Sequence, residues 1–256
     1  MPNGKRTDRI SERDLEVLEF VARFGVVPRN VVASWAGTGR AVTAARERRL
    51  RERGLVEVLP AFGDSGQLVI CSRRGLRAVF RADLPIPKFS PGSVRHTAEV
   101  ARVGTALERE GVKVLSEREI RAAERIAGQR IYSASMSGRS FHRPDIVAIG
   151  ELVEVIEVEL SAKAPNRLDS ILRAWRRAVL DGKATRVRYF CADCAVDPVR
   201  RSVVRTRTEQ VVSVYELPVC SESSSSGSAS HSNGRPSARP LPSIEIEEPT
   251  SIDGPA

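Results

Sequence analysis

The spacing of apolar residues, glycines and prolines over the first 80 residues constrains the fold more than any other feature of the chain. Ser11 is followed by an acid three residues later, close to a capping box, and apolar residues then recur at helical spacing. The pattern first predicts three helices: one ending at Gly25, a short one beginning at Pro28 and a third over residues 40–53. Two strands are predicted next, over residues 55–60 and 67–71 around a Gly63–Gly66 turn, followed by a closing helix over residues 72–80. Three helices followed by a two-stranded hairpin are typical of a winged helix-turn-helix, which we predict for residues 7–82.

The third predicted helix is rich in arginine, with six arginines against two glutamates in fourteen residues. In a helix-turn-helix the second helix of the motif enters the major groove, and guanidinium groups suit both guanine and phosphate. A formal net charge of +9 also favours a polyanionic partner. We therefore expect this helix to bind double-stranded DNA through the following residues: Arg40, Thr43, Arg46, Arg48, Arg49 and Arg53. The alternative is a solvated charged face.

The inner side of this helix departs from the usual pattern. Winged helices commonly carry a second apolar residue three or four positions before the position of Leu50, and Arg46 and Glu47 stand there instead. We therefore expect the helix to pack through Val42, Ala45 and Leu50.

Residues 83–92 contain three prolines and are predicted to form a linker. Helical and β-rich segments then alternate, which predicts a second domain of mixed α/β class over residues 93–218, with helices beginning at Ser93 and Pro198. Residues 219–256 are rich in serine, glycine and proline and then acidic, so we expect a disordered acidic tail.

Composition narrows the class of protein further. No apolar run approaches the length of about 18–20 residues that crosses a bilayer. The first residues are too polar for a signal peptide, and four cysteines in 256 residues do not make a disulfide framework. We therefore expect a cytoplasmic protein, in which Cys191 and Cys194 are inert thiols rather than zinc ligands.

Carboxylates alternate along a β-rich segment of the second predicted domain. Alternate side chains share a strand face, so Glu157 and Glu159 are expected to point away from an aliphatic core face, beside Asp145 on the neighbouring strand. Three crowded carboxylates repel one another unless a cation lies among them, and oxygen ligands suit Mg²⁺. Mg²⁺ there could activate water and stabilise a phosphoryl transition state, with Lys163 offsetting charge. The alternative is a strand whose acids are solvated.

This arrangement resembles the PD-(D/E)xK nuclease-like fold, in which an Asp and an acid-x-lysine motif lie on adjacent strands around Mg²⁺. The resemblance implies a restriction-endonuclease-like domain with Asp145, Glu157, Glu159 and Lys163 as catalytic residues. It also implies Asp145, Glu157 and a helical Glu119 as metal ligands. Glu159 stands where the motif has its lysine, so Lys163 would have to replace that lysine from four residues further on.

The order of motifs along residues 7–217 resembles the replication-relaxation family of plasmids and other mobile elements. The motifs are the predicted winged helix, Ser93-Val-Arg-His96, Ser116-Glu-Arg-Glu119, His142-Arg-Pro-Asp145, Glu157-Val-Glu-Leu-Ser161 with Lys163, Arg167-Leu168 and Trp175. Membership implies DNA binding and a role in plasmid replication and DNA relaxation.

Two functional interpretations remain open at this point. One is a Mg²⁺-dependent endonuclease or nickase. The other is a transcription regulator without catalysis, whose second domain is a degenerate nuclease fold used for partner binding or dimerisation. A homodimer is one alternative for the oligomeric state.

Overall fold

Local capping signals set the first elements of the chain. The Ser11 side chain accepts a hydrogen bond from the Asp14 N–H and begins the first helix, and Gly25, with φ of +86°, ends it. The computed structural model describes residues 10–60, 66–88, 90–138 and 140–217, apart from the side chain of Pro91. The predicted Gly63–Gly66 turn and the predicted tail over residues 219–256 lie largely or wholly outside this described part.

The first group of elements surrounds a small antiparallel sheet. These elements are α1 (Glu12–Phe24), β1 (Val26–Pro28), α2 (Arg29–Ala36), α3 (Arg40–Glu52), β2 (Val56–Leu59), β3 (Leu68–Cys71) and α4 (Arg73–Ala78). The strand order is β1-β3-β2, with β3 antiparallel to both neighbours. The predicted helices and the two strands after the third helix are therefore present within one or two residues of their expected positions.

The second group is built on a five-stranded sheet. Its elements are α5 (Pro91–Arg109), β4 (Lys113–Ser116), α6 (Glu117–Ala127), β5 (Ala134–Ser135), β6 (Phe141–His142), β7 (Ile146–Ile149), β8 (Val153–Glu159), α7 (Pro165–Leu180), β9 (Arg186–Cys191), α8 (Asp193–Thr206) and β10 (Val212–Glu216). The strand order is β10-β9-β8-β7-β4. Strands β4, β7 and β8 are antiparallel neighbours, whereas β8, β9 and β10 run parallel. The predicted mixed α/β class is confirmed.

Two predicted helix starts are wrong. Helix α5 begins at Pro91 with Ser90 as its N-cap, and Ser93 is the third helical residue that completes the capping box. Helix α8 begins at Asp193 and carries Pro198 inside it. The β5–β6 hairpin was not predicted, because its strands are only two residues long.

Helices cover β8 on both faces. On one face, Trp175 and Leu168 of α7 pack with Tyr189 of β9 in an apolar cluster, and α5 lies against the other face. Six of the seven residues of β8 are buried. The alternative of a strand whose acids are solvated is therefore wrong, because Glu157 and Glu159 are buried as well.

Arg23 of α1 connects the two groups of elements. Its guanidinium donates to Glu108 of α5, to Glu119 of α6 and to the carbonyl of Val114 in β4. Trp35 of α2 also donates its indole N–H to Glu108, at 2.6 Å. The division into domains at residues 83–92 stays a prediction. In the described part of the chain, no helix has the length and apolar character needed to span a membrane.

Candidate nucleic-acid interface and buried carboxylate cluster

Helix α3 docks on the protein through polar side chains. Its buried residues are Thr43, Glu47 and Leu50, whereas Val42 is 51% exposed, so the expectation that Val42 packs inward is wrong. Glu47 accepts two hydrogen bonds of 2.6 Å from the guanidinium of Arg29, which begins α2. This bidentate pair replaces the apolar contact that winged helices commonly have at this level.

Two residues expected to contact DNA are instead part of this docking surface. The Thr43 hydroxyl donates to the carbonyl of Gly39, and Thr43 is 2% exposed. The Arg46 guanidinium donates to Asp14 of α1 at 2.8 Å, and its side chain is 12% exposed. The structure therefore corrects the assignment of Thr43 and Arg46 to the DNA-binding set, because packing takes up both side chains.

Asp14 is the anion that holds the inner side of α3. It is 2% exposed and accepts hydrogen bonds from Arg46 and, at 3.0 Å, from Arg49. Burial alone would raise the pKa of Asp14, but the Ser11 hydroxyl and the two guanidinium groups lower it below its ordinary value. Asp14 is therefore a structural carboxylate, ionised at neutral pH.

The outer face of α3 carries the remaining arginines. Arg40, Arg48 and Arg51 are exposed. Arg48 Nε lies 3.9 Å from the carboxylate of Glu52, which is also exposed. The Arg49 side chain is 45% exposed although it contacts Asp14. Arg53 is the half-buried C-cap residue of the helix. This outer face can approach a polyanion without disturbing the fold.

Strand register places Asp145 close to Glu157. Ile146 pairs with Ile156 in the antiparallel β7–β8 ladder, so Asp145 and Glu157 are the next opposed positions. Asp145 Oδ2 accepts a 2.8 Å hydrogen bond from the backbone N–H of Val158. His96 of α5 lies beside it, with Nε2 3.4 Å from that oxygen and 3.1 Å from the Val158 carbonyl.

Glu157 is a buried carboxylate with two side-chain donors. It is 3% exposed, and its Oε1 lies 2.9 Å from His142 Nε2 and 3.1 Å from the indole nitrogen of Trp175. Burial raises the pKa of Glu157, and the Asp145 charge adds to this effect although His142 opposes it. Burial lowers the pKa of His142, but the charge of Glu157 and the hydrogen bond to it have a larger effect. The pKa of His142 is therefore raised.

Glu159 and Tyr189 complete this cluster. Lys163, expected to offset charge, forms an ion pair with Glu159. Tyr189 of β9 pairs with Glu157 in the parallel ladder and is 1% exposed. Its hydroxyl has no hydrogen-bond partner among the described residues. Burial, followed by the charges of Glu157 and Glu159, raises the pKa of Tyr189 well above its ordinary value. Nothing in the sequence pattern distinguishes this tyrosine from a core residue.

Glu119, expected to be a further metal ligand, belongs to a different cluster. Both of its oxygens accept from Arg23, and one also accepts from Arg81 at 3.1 Å. The other accepts from the backbone N–H and the hydroxyl of Ser116 in the capping box. The assignment of Glu119 as a metal ligand is corrected for this reason: its carboxylate serves helix α6 and two arginines rather than Asp145 or Glu157.

The groups around β8 are chemically suitable ligands for a hard divalent cation, because all of them offer oxygen atoms. They are the carboxylates of Asp145, Glu157 and Glu159 and the phenol of Tyr189, which has no hydrogen-bond partner among the described residues. Within the ranges that the structure describes, however, no three histidine, cysteine or acidic side chains are gathered around one metal position. Protein donors lie against the carboxylates instead: His96 at Asp145, His142 at Glu157 and Lys163 at Glu159. A metal would have to compete with these groups.

The His96–Asp145 pair predicts a pH-dependent contribution to stability. Burial lowers the pKa of His96, but Asp145 outweighs it and raises the pKa to about 9. The contribution is therefore fully present below pH 6.5 and lost as pH rises through about 9. We expect the difference in free energy of unfolding between the wild type and His96→Gln to shrink over this interval. Urea unfolding at pH 6, 7.5 and 9 measures it, and a constant difference would contradict the assignment.

Comparisons with known proteins add little to this geometry. No protein-family profile and no curated protein sequence matches the chain. Among solved structures, the archaeal chromatin protein TrmBL2, described as showing a novel mode of DNA binding, aligns with 83% of this chain and 74% of its own. The aligned residues are 14% identical and the TM-score is 0.23, which is too low for us to draw any conclusion about fold or function.

Proposed function

We propose that the chain binds double-stranded DNA through the outer face of α3. The observation that carries the proposal is the division of the α3 side chains. Arg46 and Thr43 are used for docking, whereas Arg40, Arg48 and Arg51 are exposed. A helix held by buried ion pairs, with other guanidinium groups left exposed, suits the phosphates and guanine edges of a major groove.

The surrounding elements support a winged helix-turn-helix. Helix α3 follows α2 after a short turn that contains Gly37, whose φ of +61° lies in the left-handed region. The antiparallel strands β2 and β3 come next, and β1 pairs with the far edge of β3. In this arrangement α3 is the recognition helix, and strands β2 and β3 belong to the wing.

We expect Arg48→Ala to weaken DNA binding with a reduced dependence on salt. Arg48 is 69% exposed in its side chain, and each lost phosphate contact lowers the slope of log affinity against log salt by about 1. Fluorescence anisotropy with labelled duplex DNA at several salt concentrations measures both quantities.

Arg121→Ala is the matched control for this experiment. Arg121 is an exposed arginine in α6 with an i,i+4 partner, Glu117, as Arg48 has Glu52. Its removal changes the net charge equally but leaves α3 intact. Equal losses for the two variants would show that only net charge matters and would overturn the assignment of α3 as the interface.

The biological setting that we propose is replication or relaxation of plasmid or other mobile-element DNA. It rests on the order of the motifs through His96, Asp145, Glu157 and Trp175. The contacts around Asp145 and Glu157 support it, because the motif histidines and the motif tryptophan all contact these two carboxylates or lie beside them. The second group of elements would then be a nuclease-like domain that acts where α3 has bound.

Mg²⁺-dependent DNA nicking is a second candidate function. It is favoured by the Tyr189 hydroxyl, which has no hydrogen-bond partner in the described part of the chain and belongs to the residue paired with Glu157. Asp145, Glu157 and Glu159 would hold the ion, which when bound supplies a Lewis acid for phosphoryl transfer. Lys163 would offset charge near the phosphate, and Trp175 holds Glu157 in place.

Conversion of supercoiled plasmid to the open circle, with and without Mg²⁺, tests this candidate. Nicking that requires Mg²⁺ and disappears in Asp145→Ala, while duplex binding persists, would support it. Binding without any cleavage by the wild type would favour the alternative, a transcription regulator whose second domain binds a partner or dimerises.

A further inference from the structure

Phe80 occupies a position where a side chain is costly. It follows α4, has φ of +56°, and is 92% exposed. The Arg81 N–H donates to the carbonyl of Leu76 at 2.8 Å, which closes α4 in the pattern of a Schellman motif. The residue at the left-handed position of that motif is usually glycine, because a Cβ strains the backbone there.

The ring of Phe80 does not stabilise the fold through packing. With 92% of the residue exposed, it buries almost no apolar surface, so the backbone strain is not compensated by packing. An exposed aromatic ring held in a strained conformation is the kind of feature found at binding sites.

The charge around Phe80 identifies the kind of partner. Arg73, Arg74 and Arg77 of α4 are all exposed, and α4 contains no acidic residue. The Phe80 N–H donates to the carbonyl of Arg77 at 3.1 Å, so the backbone of Phe80 lies one turn beyond the last arginine of α4. A basic helix that ends in a projecting aromatic ring combines phosphate contacts with a stacking platform.

We propose that α4 and Phe80 form a binding surface for single-stranded nucleic acid. Phe80 stacks on an unpaired base, and Arg73, Arg74 and Arg77 contact the neighbouring phosphates. Bases in a duplex are already stacked and would have to be separated to reach the ring, so the surface selects unpaired strands. The inference goes beyond duplex binding by α3 and does not depend on it, because it uses a different helix.

Phe80→Gly in the full chain tests the proposal, because it separates binding from folding. Glycine relieves the strain at φ of +56°, so we expect the melting temperature to rise by roughly 2 °C. We expect the affinity for labelled dT15, measured by anisotropy, to fall about 5- to 150-fold, as the loss of one stacked base implies. Phe80→Trp, which keeps the stacking surface, should bind dT15 at least as tightly as the wild type.

Three results would overturn the proposal. One is wild-type affinity of Phe80→Gly for dT15. Another is an equal loss of affinity for duplex DNA, since this would indicate a general effect on polyanion binding rather than stacking. The third is Phe80→Leu binding dT15 as tightly as the wild type, because an apolar contact with another kind of partner would then explain the exposed ring. A parallel titration with U15 distinguishes single-stranded RNA from DNA as the preferred ligand, and a Phe80-dependent affinity for either strand supports the proposal.

Discussion

Replacing Asp14 with alanine is expected to lower the free energy of unfolding by about 3 kcal/mol, the lower end of the range for breaking a buried ion pair. Asp14 is 2% exposed, and the side chain of its partner Arg46 is 12% exposed. Without the carboxylate, Arg46 stays between α1 and α3 as an uncompensated charge. Arg49 contributes less, because its side chain is 45% exposed and can turn to solvent. Urea unfolding followed by circular dichroism measures the loss.

Glu16→Ala is the matched control, since it removes another α1 carboxylate that pairs with an arginine. The side chains of Glu16 and Arg13 are 44% and 49% exposed, and exposed pairs contribute roughly 0–1 kcal/mol. A loss in Asp14→Ala no larger than in Glu16→Ala would contradict the structural role that we assign to Asp14.

Acid should remove the contribution of Asp14. Its folded-state pKa is lowered from the ordinary 3.8, so its stabilising effect is present above pH 3.8 and is lost as pH falls through the folded value. The difference in free energy of unfolding between the wild type and Asp14→Asn should therefore decrease in this acidic range and stay constant above about pH 5.

The elements of this chain were predictable where their signals are local. Ser11, Ser116 and Gly25 begin or end helices through contacts within a few residues, and the sequence places α1 and α6 accordingly. The N-cap of α5 was misplaced because Ser90 and Ser93 both take part in one capping box. The mixed class of the second group follows from the alternation of helical and β-rich segments.

The partners of the charged side chains were not predictable, because they come from distant parts of the chain. Arg46 is held by a carboxylate 32 residues earlier, and Glu119 by Arg23, 96 residues earlier. Helical periodicity identifies an inner face through apolar residues, so it does not recognise a face that docks through ion pairs. Composition therefore indicated an arginine-rich helix but not which arginines remain available to DNA.

The carboxylate cluster was predicted in its positions but not in its surroundings. Alternation along the strand placed Glu157 and Glu159 on one face, and Asp145 and Glu157 each lie one residue beyond the Ile146–Ile156 pair of the ladder. A period of two residues does not indicate whether a second layer covers that face. Helix α7 covers it with Trp175, and this burial is what raises the pKa of Glu157.

Glu157→Ala and Glu157→Gln are expected to differ sharply, because the carboxylate is a buried acceptor. Alanine leaves the His142 and Trp175 donors without a partner and opens a cavity, which together cost about 3 kcal/mol. Glutamine keeps an oxygen for these donors and has nearly the same size and shape as glutamate, so it opens no cavity. We expect its free energy of unfolding to stay within about 1 kcal/mol of the wild type.

The glutamine variant also separates fold from chemistry. If the cluster nicks DNA with Mg²⁺, Glu157→Gln should abolish nicking while urea unfolding and duplex binding stay close to wild type, because only the negative charge has been removed. Glu16→Gln is the control: the Glu16 side chain in α1 is 44% exposed and pairs with the exposed Arg13, so the loss of its charge should change neither quantity. If Glu157→Gln nicks as fast as the wild type, Glu157 is not a metal ligand. If Glu157→Ala is as stable as the wild type, the buried hydrogen bonds from His142 and Trp175 to Glu157 are contradicted.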